Sequence, residues 1–592
     1  MKLSDYVIDF IARQGVTHIF EFIGGAIVHL LDSTYDRTDI QCISVHHEQT
    51  AAFAAEAYAR TNGNLGVAMA TSGPGALNML TGIGSCYFDS VPCLFITGQV
   101  NTYEYKFDRP VRQIGFQETD IVSVATPLVK YAELVVDADK IRYHLEKAIF
   151  LAKHGRPGPV LLDIPMNIQR AQINPEKLES FFDSPEYLQL NRPASCEDAA
   201  VETVAELLKQ AKRPLILAGG GVRASGATEE LRLLIEQTGI PLVASLMGLD
   251  TISHDDPAFF GMIGSYGNRY SNLAVANCDF LLILGSRLDS RQTGTRPDTF
   301  ARAAKKVHVD IDINELGAKV PADVLVHCDI KGLLTALNKR LNNESRLDIG
   351  QWYDIINKYR DSYPTYCEET TEGSIDPNRF MEMLARYSSE GSTVCVDVGQ
   401  HQMWAGQSFK LKANQRMLNS GGMGAMGFAL PAAIGAVLSN PGKDAIVIAG
   451  DGGIQVNIQE LDIVAQHRLP VKIFVMNNGC LGMVRQFQDL YFDGRRQSTV
   501  KGYSCPDLGK IAAAYGITSY AIESLEDAEH LLYEILSIDG PVLVDVRLTL
   551  ATNVNPKLVV NRPIEDMSPH LEREELERIM LIDLAEEQDI PK

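Results

Sequence analysis

Apolar residues along the chain fall in short runs, separated by longer stretches of helical periodicity. Residues 40–45 and 66–70 read as strands, with an Ala-rich helix over 50–60 between them. The turn Ser72-Gly73-Pro74-Gly75 leads into a helix to about Tyr87 and a strand over 93–97. Such alternation predicts a parallel sheet covered by helices on both faces. It recurs after a polar stretch over 172–198. Residues 214–219 begin a second block, with Gly219-Gly220-Gly221 and a helix over 228–238, running to about Leu341. Residues 342–376 read as another connection, and 393–397 open a third block. Gly158-Pro159-Val160-Leu161-Leu162-Asp163 is echoed by Gly540-Pro541-Val542-Leu543-Val544-Asp545, which suggests similar domains at the two ends. After Leu550 come Pro556, Pro563, Pro569 and a charged helix from Glu572, a tail expected to wrap the surface or the mouth of a site.

One long stretch, 417–445, has no charge before Lys443 and Asp444. It is long enough for a bilayer. Its glycines, Pro431 and the strand that follows favour a buried helix instead.

The length of 592 residues suggests three or four domains at ~100–200 residues each. With 45% hydrophobic and 22% charged residues, the composition is globular. A net charge of −21 argues against nucleic acid, whose phosphates need clustered Lys and Arg. The ten cysteines form no C-x-x-C pair, so neither a disulfide framework nor a zinc site is expected. The first residues carry no hydrophobic signal core, and a reduced, cytoplasmic protein is expected.

The strongest chemical pattern is Gly450-Asp451-Gly452, twenty-four residues, then Asn477-Asn478. Asp451 and Asn478 each follow a strand, with a helix over 458–467 between, so both emerge where α/β sheets bind ligands. A carboxylate and an amide oxygen suit Mg²⁺. Gly452 and Gly453 let backbone N–H groups approach a phosphate. Singly, Asp451 and Asn478 are ordinary turn residues; at this spacing they read as a metal–diphosphate site.

This pattern is similar to the thiamine-diphosphate (ThDP) signature, and its surroundings resemble acetolactate synthase catalytic chains. The resemblance is carried by His47-Glu48-Gln49 within 45–60, by 70–77, Gly98-Gln99-Val100, Phe116-Gln117-Glu118-Thr119, Gly399-Gln400-His401-Gln402-Met403-Trp404, 457–461 and Leu481-Gly482-Met483-Val484-Arg485-Gln486. It covers nearly all of residues 1–560. It implies three doubly wound parallel-sheet α/β domains: pyrimidine-binding over 1–170, central FAD-type over 196–341 and diphosphate-binding over 376–550, with a tail over 551–592. It implies Mg²⁺ held by Asp451, Asn478 and the Cys480 carbonyl. The ThDP contacts would be Val398, Gly399, Gln400, His401, Gly424, Met426, Asp451, Gly452, Gly453, Asn478, Gly482 and Met483, with Met426 bending the cofactor. Glu48 would share a proton with N1′ of the pyrimidine, favouring the imino form that removes the C2 proton. A helix N-terminal carboxylate is the plain alternative for Glu48. Gln117 and Lys130 join Glu48 among the implied catalytic residues. His46 and His47 read as structural. An amide at Gln117, where several ThDP decarboxylases have a histidine, suits ligation.

The central block resembles the FAD domain of the same enzymes through Gly219, Gly220, Gly221, Ser245, Leu246, Met247, Gly264, Gly285, Arg287, Asp289, Asp310, Ile311, Asp329 and Ile330. FAD would be bound without a redox role, and Arg287 would neutralise its diphosphate. Arg291 matches the arginine that receives the acceptor's carboxylate; a surface ion pair is its alternative. The family pairs chains, implying a homodimer or homotetramer. The implied reaction is decarboxylation of a 2-keto acid, pyruvate, and ligation of its two-carbon unit to a carbonyl acceptor. Departures bear on that acceptor. Phe487 replaces the usual Trp, residues 101–115 form an insertion, Ser265 and Tyr266 replace a Met–His pair, and Thr126 replaces an Arg. These, and the end Asn561-Arg562-Pro563, resemble acetolactate-synthase-like proteins of branched-chain sugar synthesis, whose acceptor is a nucleotide keto-sugar. A flavin oxidoreductase and a non-catalytic binding protein are the other classes.

Overall fold

The computed structural model describes residues 1–191, 196–342, 344–366 and 374–586. Three six-stranded sheets, all parallel, organise it. In the first, Gln41–Ser44, His18–Phe22, Gly66–Ala70, Cys93–Gln99, Val160–Pro165 and Tyr131–Leu134 lie side by side in that order. The second runs Val324–His327, Lys305–Asp310, Phe280–Leu284, Pro214–Ala218, Leu242–Ala244, Phe259–Met262. The third runs Arg416–Asn419, Thr393–Val396, Ala445–Gly450, Val471–Asn477, Val542–Arg547, Thr518–Ile522. Central strands such as Cys93–Gln99 and Ala445–Gly450 are buried along their whole length, which is why they read as unbroken apolar runs.

The first and third sheets share one strand order. The echoed segments are the same strand in each, Val160–Pro165 and Val542–Arg547. The two domains pack through the helices Glu48–Asn62 and Ala429–Ser439, which lie within the uncharged and Ala-rich stretches. Small residues let them close: a Cβ on Gly435 would fall 2.0 Å from the Ala54 carbonyl oxygen. Phe53 and Phe428 meet edge to face at 5.4 Å. Among the described residues no helix is long and apolar enough to cross a membrane.

Two expectations are corrected. The connection over 342–376 carries a 13-residue helix, Gly350–Ser362, whose Trp352, Ile356 and Tyr359 are buried against the central domain. Trp352 Nε1 donates to the Pro214 carbonyl at 3.0 Å. An apolar face every third or fourth residue was hidden there by polar neighbours. Second, Cys196 and Cys328 form a disulfide, with Cα atoms 5.2 Å apart and 132 residues between them in sequence. Spacing along the chain cannot reveal a pair so distant. Parts of both expected connections, 192–195 and 367–373, lie outside the described residues.

The tail is a strap. Carbonyls of Thr552, Asn553, Val554 and Asn555 accept hydrogen bonds from Gln400, Trp404, Gln486 and Gln407 of the third domain. The chain then pairs Lys557–Leu558 antiparallel with Met567–Ser568. Its later described residues lie against the central domain, where Arg302 meets the buried Glu565 at 2.8 Å and Leu576 of the helix Arg573–Ile579 is buried.

Candidate active site

The third sheet reverses its winding between Thr393–Val396 and Ala445–Gly450, and side chains at their carboxyl ends face the resulting crevice. His401, on the helix Gln400–Ser408, is buried there, packed where Cβ atoms on Gly399 and Gly450 would lie. Burial lowers its pKa to about 3, so the ring is neutral. Its Nε2 has no hydrogen-bond partner among the described residues. Gln400 holds the neighbouring amide: Asn478 Nδ2 donates to Gln400 Oε1 at 3.0 Å, while Gln400 Nε2 donates to Gln486 Oε1 at 3.0 Å and the Thr552 carbonyl at 3.1 Å. That leaves Asn478 Oδ1 on the side of Cys480, whose N–H reaches it at 3.3 Å. Gly482 makes room for this pair, since a Cβ there would fall 2.0 Å from Gln400 Oε1. Asp451 is buried, its carboxyl raised by desolvation, and accepts the Tyr503 hydroxyl at 2.6 Å.

Among the described residues no cluster of three or more His, Cys, Asp or Glu is arranged to hold a metal. One carboxylate, one amide oxygen and one carbonyl make a partial oxygen set, which a Mg²⁺ bound to a diphosphate completes. The donor chemistry and the unpartnered His401 nitrogen fit that pair of groups. Gly452 lies beside Met426, whose Cε would be 3.6 Å from a Cβ there, and Met483 packs partly buried behind. Asp397 shapes the opposite wall. Its buried carboxylate accepts from the N–H groups of Val398, Gly427 and Ala429, and burial raises its pKa to about 6. It thus fixes the turn carrying Gly424, Met426 and Gly427, the glycines having φ of 65° and 83°. Sequence reading missed Asp397 and Tyr503; an Asp closing a buried strand was the available signal for the first.

Glu48 begins the helix Glu48–Asn62 and is buried, accepting from Asn78 Nδ2 at 2.9 Å. His47 caps that helix through Nδ1, and the His46 N–H donates to the buried Glu460 of the third domain at 3.1 Å, so both histidines serve structure. Gln117 has φ of 63° and abuts Gly73, while Phe116 beside it is 85% exposed. Lys130 stands apart from these groups: its ammonium donates to the carbonyls of His154 at 2.6 Å and Arg156 at 2.7 Å. Burial lowers its pKa to about 8. That contact ties Lys130 to the turn after the helix Ile141–Lys153.

A cavity of about 580 Å³ lies among all three domains. Its central-domain wall holds Gly220, Gly221, Ser245, Leu246, Met247, Gly285, Arg287, Asp289, Asp310, Ile311, Asp329 and Ile330. The glycines act mainly on each other: Cβ atoms on Gly219 and Gly221 would strike the Gly285 backbone at 2.2 and 2.7 Å. Asp289 and Asp329 cap their own turns, through the N–H groups of Arg291 and Lys331. Asp310 is buried and raised by desolvation. From the first domain come Asp89 and Arg156, which the sequence did not single out. Asp89 accepts from Gly421 and Gly422, and Arg156 reaches Asp312 and Glu315 at 3.2 and 3.0 Å. The third domain gives Val398, Gln402 and Gly424, and Gln402 Nε2 is buried without a partner among the described residues. A long cavity with an arginine and an orphaned amide donor fits a dinucleotide.

Gly264, with φ of 113°, packs on the Arg291 carbonyl, which also accepts the Ser265 N–H at 2.7 Å. This holds Arg291 on the cavity wall, where its exposed side chain forms no ion pair among the described residues. Phe487 is 45% exposed and lies 4.6 Å from the Tyr491 ring.

Three models of the thiamine pyrophosphate enzymes match: the N-terminal TPP-binding domain over residues 1–124, the central domain over 201–337 and the C-terminal TPP-binding domain over 397–546. Acetolactate synthase, chloroplastic, of Arabidopsis thaliana is 38% identical over 557 residues, 92% of this chain and 81% of that one. Probable acetolactate synthase 2, chloroplastic, of Oryza sativa subsp. japonica is 38% identical over 588 residues, 96% and 86% of the two chains. The acetolactate synthase large subunit of Porphyra purpurea is 36% identical over 560 residues, 93% and 92%.

Proposed function

The chain belongs to the acetolactate synthase family of thiamine pyrophosphate enzymes, and from that premise we propose how its residues divide the work. It is a ThDP-dependent carboligase that decarboxylates pyruvate and joins the two-carbon unit to a carbonyl acceptor. ThDP supplies the carbon nucleophile and the electron sink for loss of CO₂. The observation that carries its placement is the buried, unpartnered His401 Nε2 beside Asp451 and Asn478. His401 and Gln400 face the diphosphate. Asp451, Asn478 and the Cys480 carbonyl hold Mg²⁺, with Gln400 orienting the Asn478 amide. Asp397 fixes the Gly424–Met426 turn, which would form the wall beside the bound cofactor.

Glu48 would be the carboxyl that exchanges a proton with the cofactor's pyrimidine when ThDP is bound, with Asn78 fixing one of its oxygens. Neither Glu48 nor Asp451 lines the large cavity. We read the ThDP site as assembled between two chains, Glu48 from one and Asp451 from the other, which would make the protein a homodimer or homotetramer. The cavity would hold FAD, with Arg287 neutralising its diphosphate and the Gln402 amide free to donate to it. Arg291 receives the acceptor's anionic group. No acid was found at the Gln117 position, and a site poor in proton donors favours ligation over premature protonation.

The test is mass spectrometry of products from labelled pyruvate with ThDP, Mg²⁺ and FAD. Acetolactate is expected from pyruvate alone. Glu48→Gln should abolish CO₂ release while Mg²⁺–ThDP still binds; normal turnover in that variant removes Glu48 from the chemistry.

A further inference from the structure

Lys557 of the tail is 7% exposed, yet its Nζ has no hydrogen-bond partner among the described residues. Three rings surround the ammonium instead: Phe487 at 5.5 Å, Tyr491 at 5.6 Å and Tyr266 at 5.8 Å. Cation–π attraction keeps the charge tolerable there but supplies no acceptor for its N–H groups. Desolvation lowers its pKa. The surroundings are those of a ligand mouth. Tyr266 lines the large cavity together with Arg291, whose charge acts on the Tyr266 hydroxyl. Phe487 and Tyr491 are open to solvent on their outer faces, at 45% and 38% exposure. Among the described residues no carboxylate pairs with the Lys557 ammonium, and the Arg291 side chain is exposed. Tyr266 links the two cations, lining the cavity with Arg291 and carrying the Lys557 ammonium 5.8 Å from its ring, and positive charge on that wall draws in an anion. A buried ammonium without a partner is costly unless something pairs it.

We propose that Lys557 is an acceptor-recognition residue: with Arg291, its ammonium binds an anionic group, carboxylate or phosphate, on the ketone that receives the two-carbon unit. The proposal rests on the carboligase reading above and deepens it. The aromatic rings hold the ammonium in place before the acceptor arrives, so pairing costs little further ordering. Backbone pairing of Lys557 with Ser568, and of Leu558 N–H with the Ser265 carbonyl at 2.7 Å, fixes where the side chain starts.

A competition experiment on the holoenzyme tests it. Labelled pyruvate is supplied with equal concentrations of dihydroxyacetone and dihydroxyacetone phosphate, and the label is counted in acetolactate and in the two adducts. The wild type should direct label to the anionic acceptors, pyruvate or the phosphate ester, over the neutral ketone. Lys557→Met should lower that anionic-to-neutral ratio by about tenfold or more, and Lys557→Arg should preserve it within about threefold. Whether acetolactate or the phosphate adduct falls more in Lys557→Met separates carboxylate from phosphate. Lys557→Gln provides a second neutral variant should the methionine misfold. A ratio unchanged in a folded neutral variant overturns the proposal. CO₂ release without any ligated product in the wild type would instead overturn the carboligase reading itself.

Discussion

Gly482→Ala tests the architecture of the metal end with a single methyl group. The new Cβ would lie 2.0 Å from Gln400 Oε1, 2.7 Å from Gln400 Cδ and 2.6 Å from Asn478 Nδ2. Restoring van der Waals contact needs a shift of more than ~1 Å. A free glutamine would swing aside, but Gln400 is buried and tied at its other end to Gln486 and the Thr552 carbonyl. The shift therefore breaks some of those hydrogen bonds, each worth ~0.5–1.5 kcal/mol net. Gly482 opens its helix, so alanine recovers little of the ~1 kcal/mol propensity it gains in a helix interior. The balance is a loss of ~1–3 kcal/mol, or a few degrees in Tm by the usual scaling of roughly 2–4 °C per kcal/mol. The functional loss should be larger, because the Asn478 amide loses the partner that orients it. Removing such an outer partner typically costs ~10–100-fold in metal affinity. Titration of Mg²⁺ in the presence of ThDP reads the affinity, and thermal denaturation of the apo protein reads the stability. Affinity within about twofold of wild type would refute the claim that Gln400 orients the ligand.

Two further outcomes follow from other groups. Arg287→Ala should lower FAD affinity by about tenfold or more, through loss of a charge-assisted contact, as read by flavin absorbance of the purified protein and by FAD titration. Equal affinity would free Arg287 of that role. Asp163 is buried, accepts from Thr97 at 2.7 Å and Gln99 at 2.9 Å, and is pushed up to about 7 by desolvation. Because its native pKa exceeds the unfolded value, the folded state holds an extra proton between about pH 4 and about pH 7. Stability from this group is therefore lost as pH rises from about 4 to about 7, by about 1.4 kcal/mol per pH unit, and the loss levels off above about 7. Asp163→Asn should remove that slope from apo-protein Tm measured across the range, and an unchanged slope would contradict the assignment.

What the sequence made legible was whatever depends on local pattern. Strands buried on both faces stand out as apolar runs, and the Gly158–Asp163 echo marks equivalent strands of two sheets with one order. Asp451 and Asn478 could be placed because each directly follows a strand. Contacts between distant segments were not legible. Cys196 meets Cys328 across 132 residues. Arg156 and Asp89 reach the cavity from another domain, and the helix Gly350–Ser362 hides its buried face among polar residues. Lys130 shows the same limit: its contacts with the carbonyls of His154 and Arg156 join segments 24 and 26 residues apart.

The tail joins the two ends of the site. Over residues 552–555 its carbonyls accept from Gln400, Trp404, Gln486 and Gln407, beneath the His401–Asn478 cradle. Two residues further on, Lys557 enters the ring of Tyr266, Phe487 and Tyr491. Gln486 binds Val554 by both its N–H and its carbonyl, so the strap has one register on the helix Gly482–Tyr491. That helix also carries Phe487 and Tyr491. The register that seats Gln400 under Asn478 is thus the register that puts Lys557 among its rings. Substitutions that loosen the strap should therefore disturb cofactor binding and acceptor choice together, whereas Lys557 substitutions, acting beyond the last of these carbonyl contacts, should disturb acceptor choice alone.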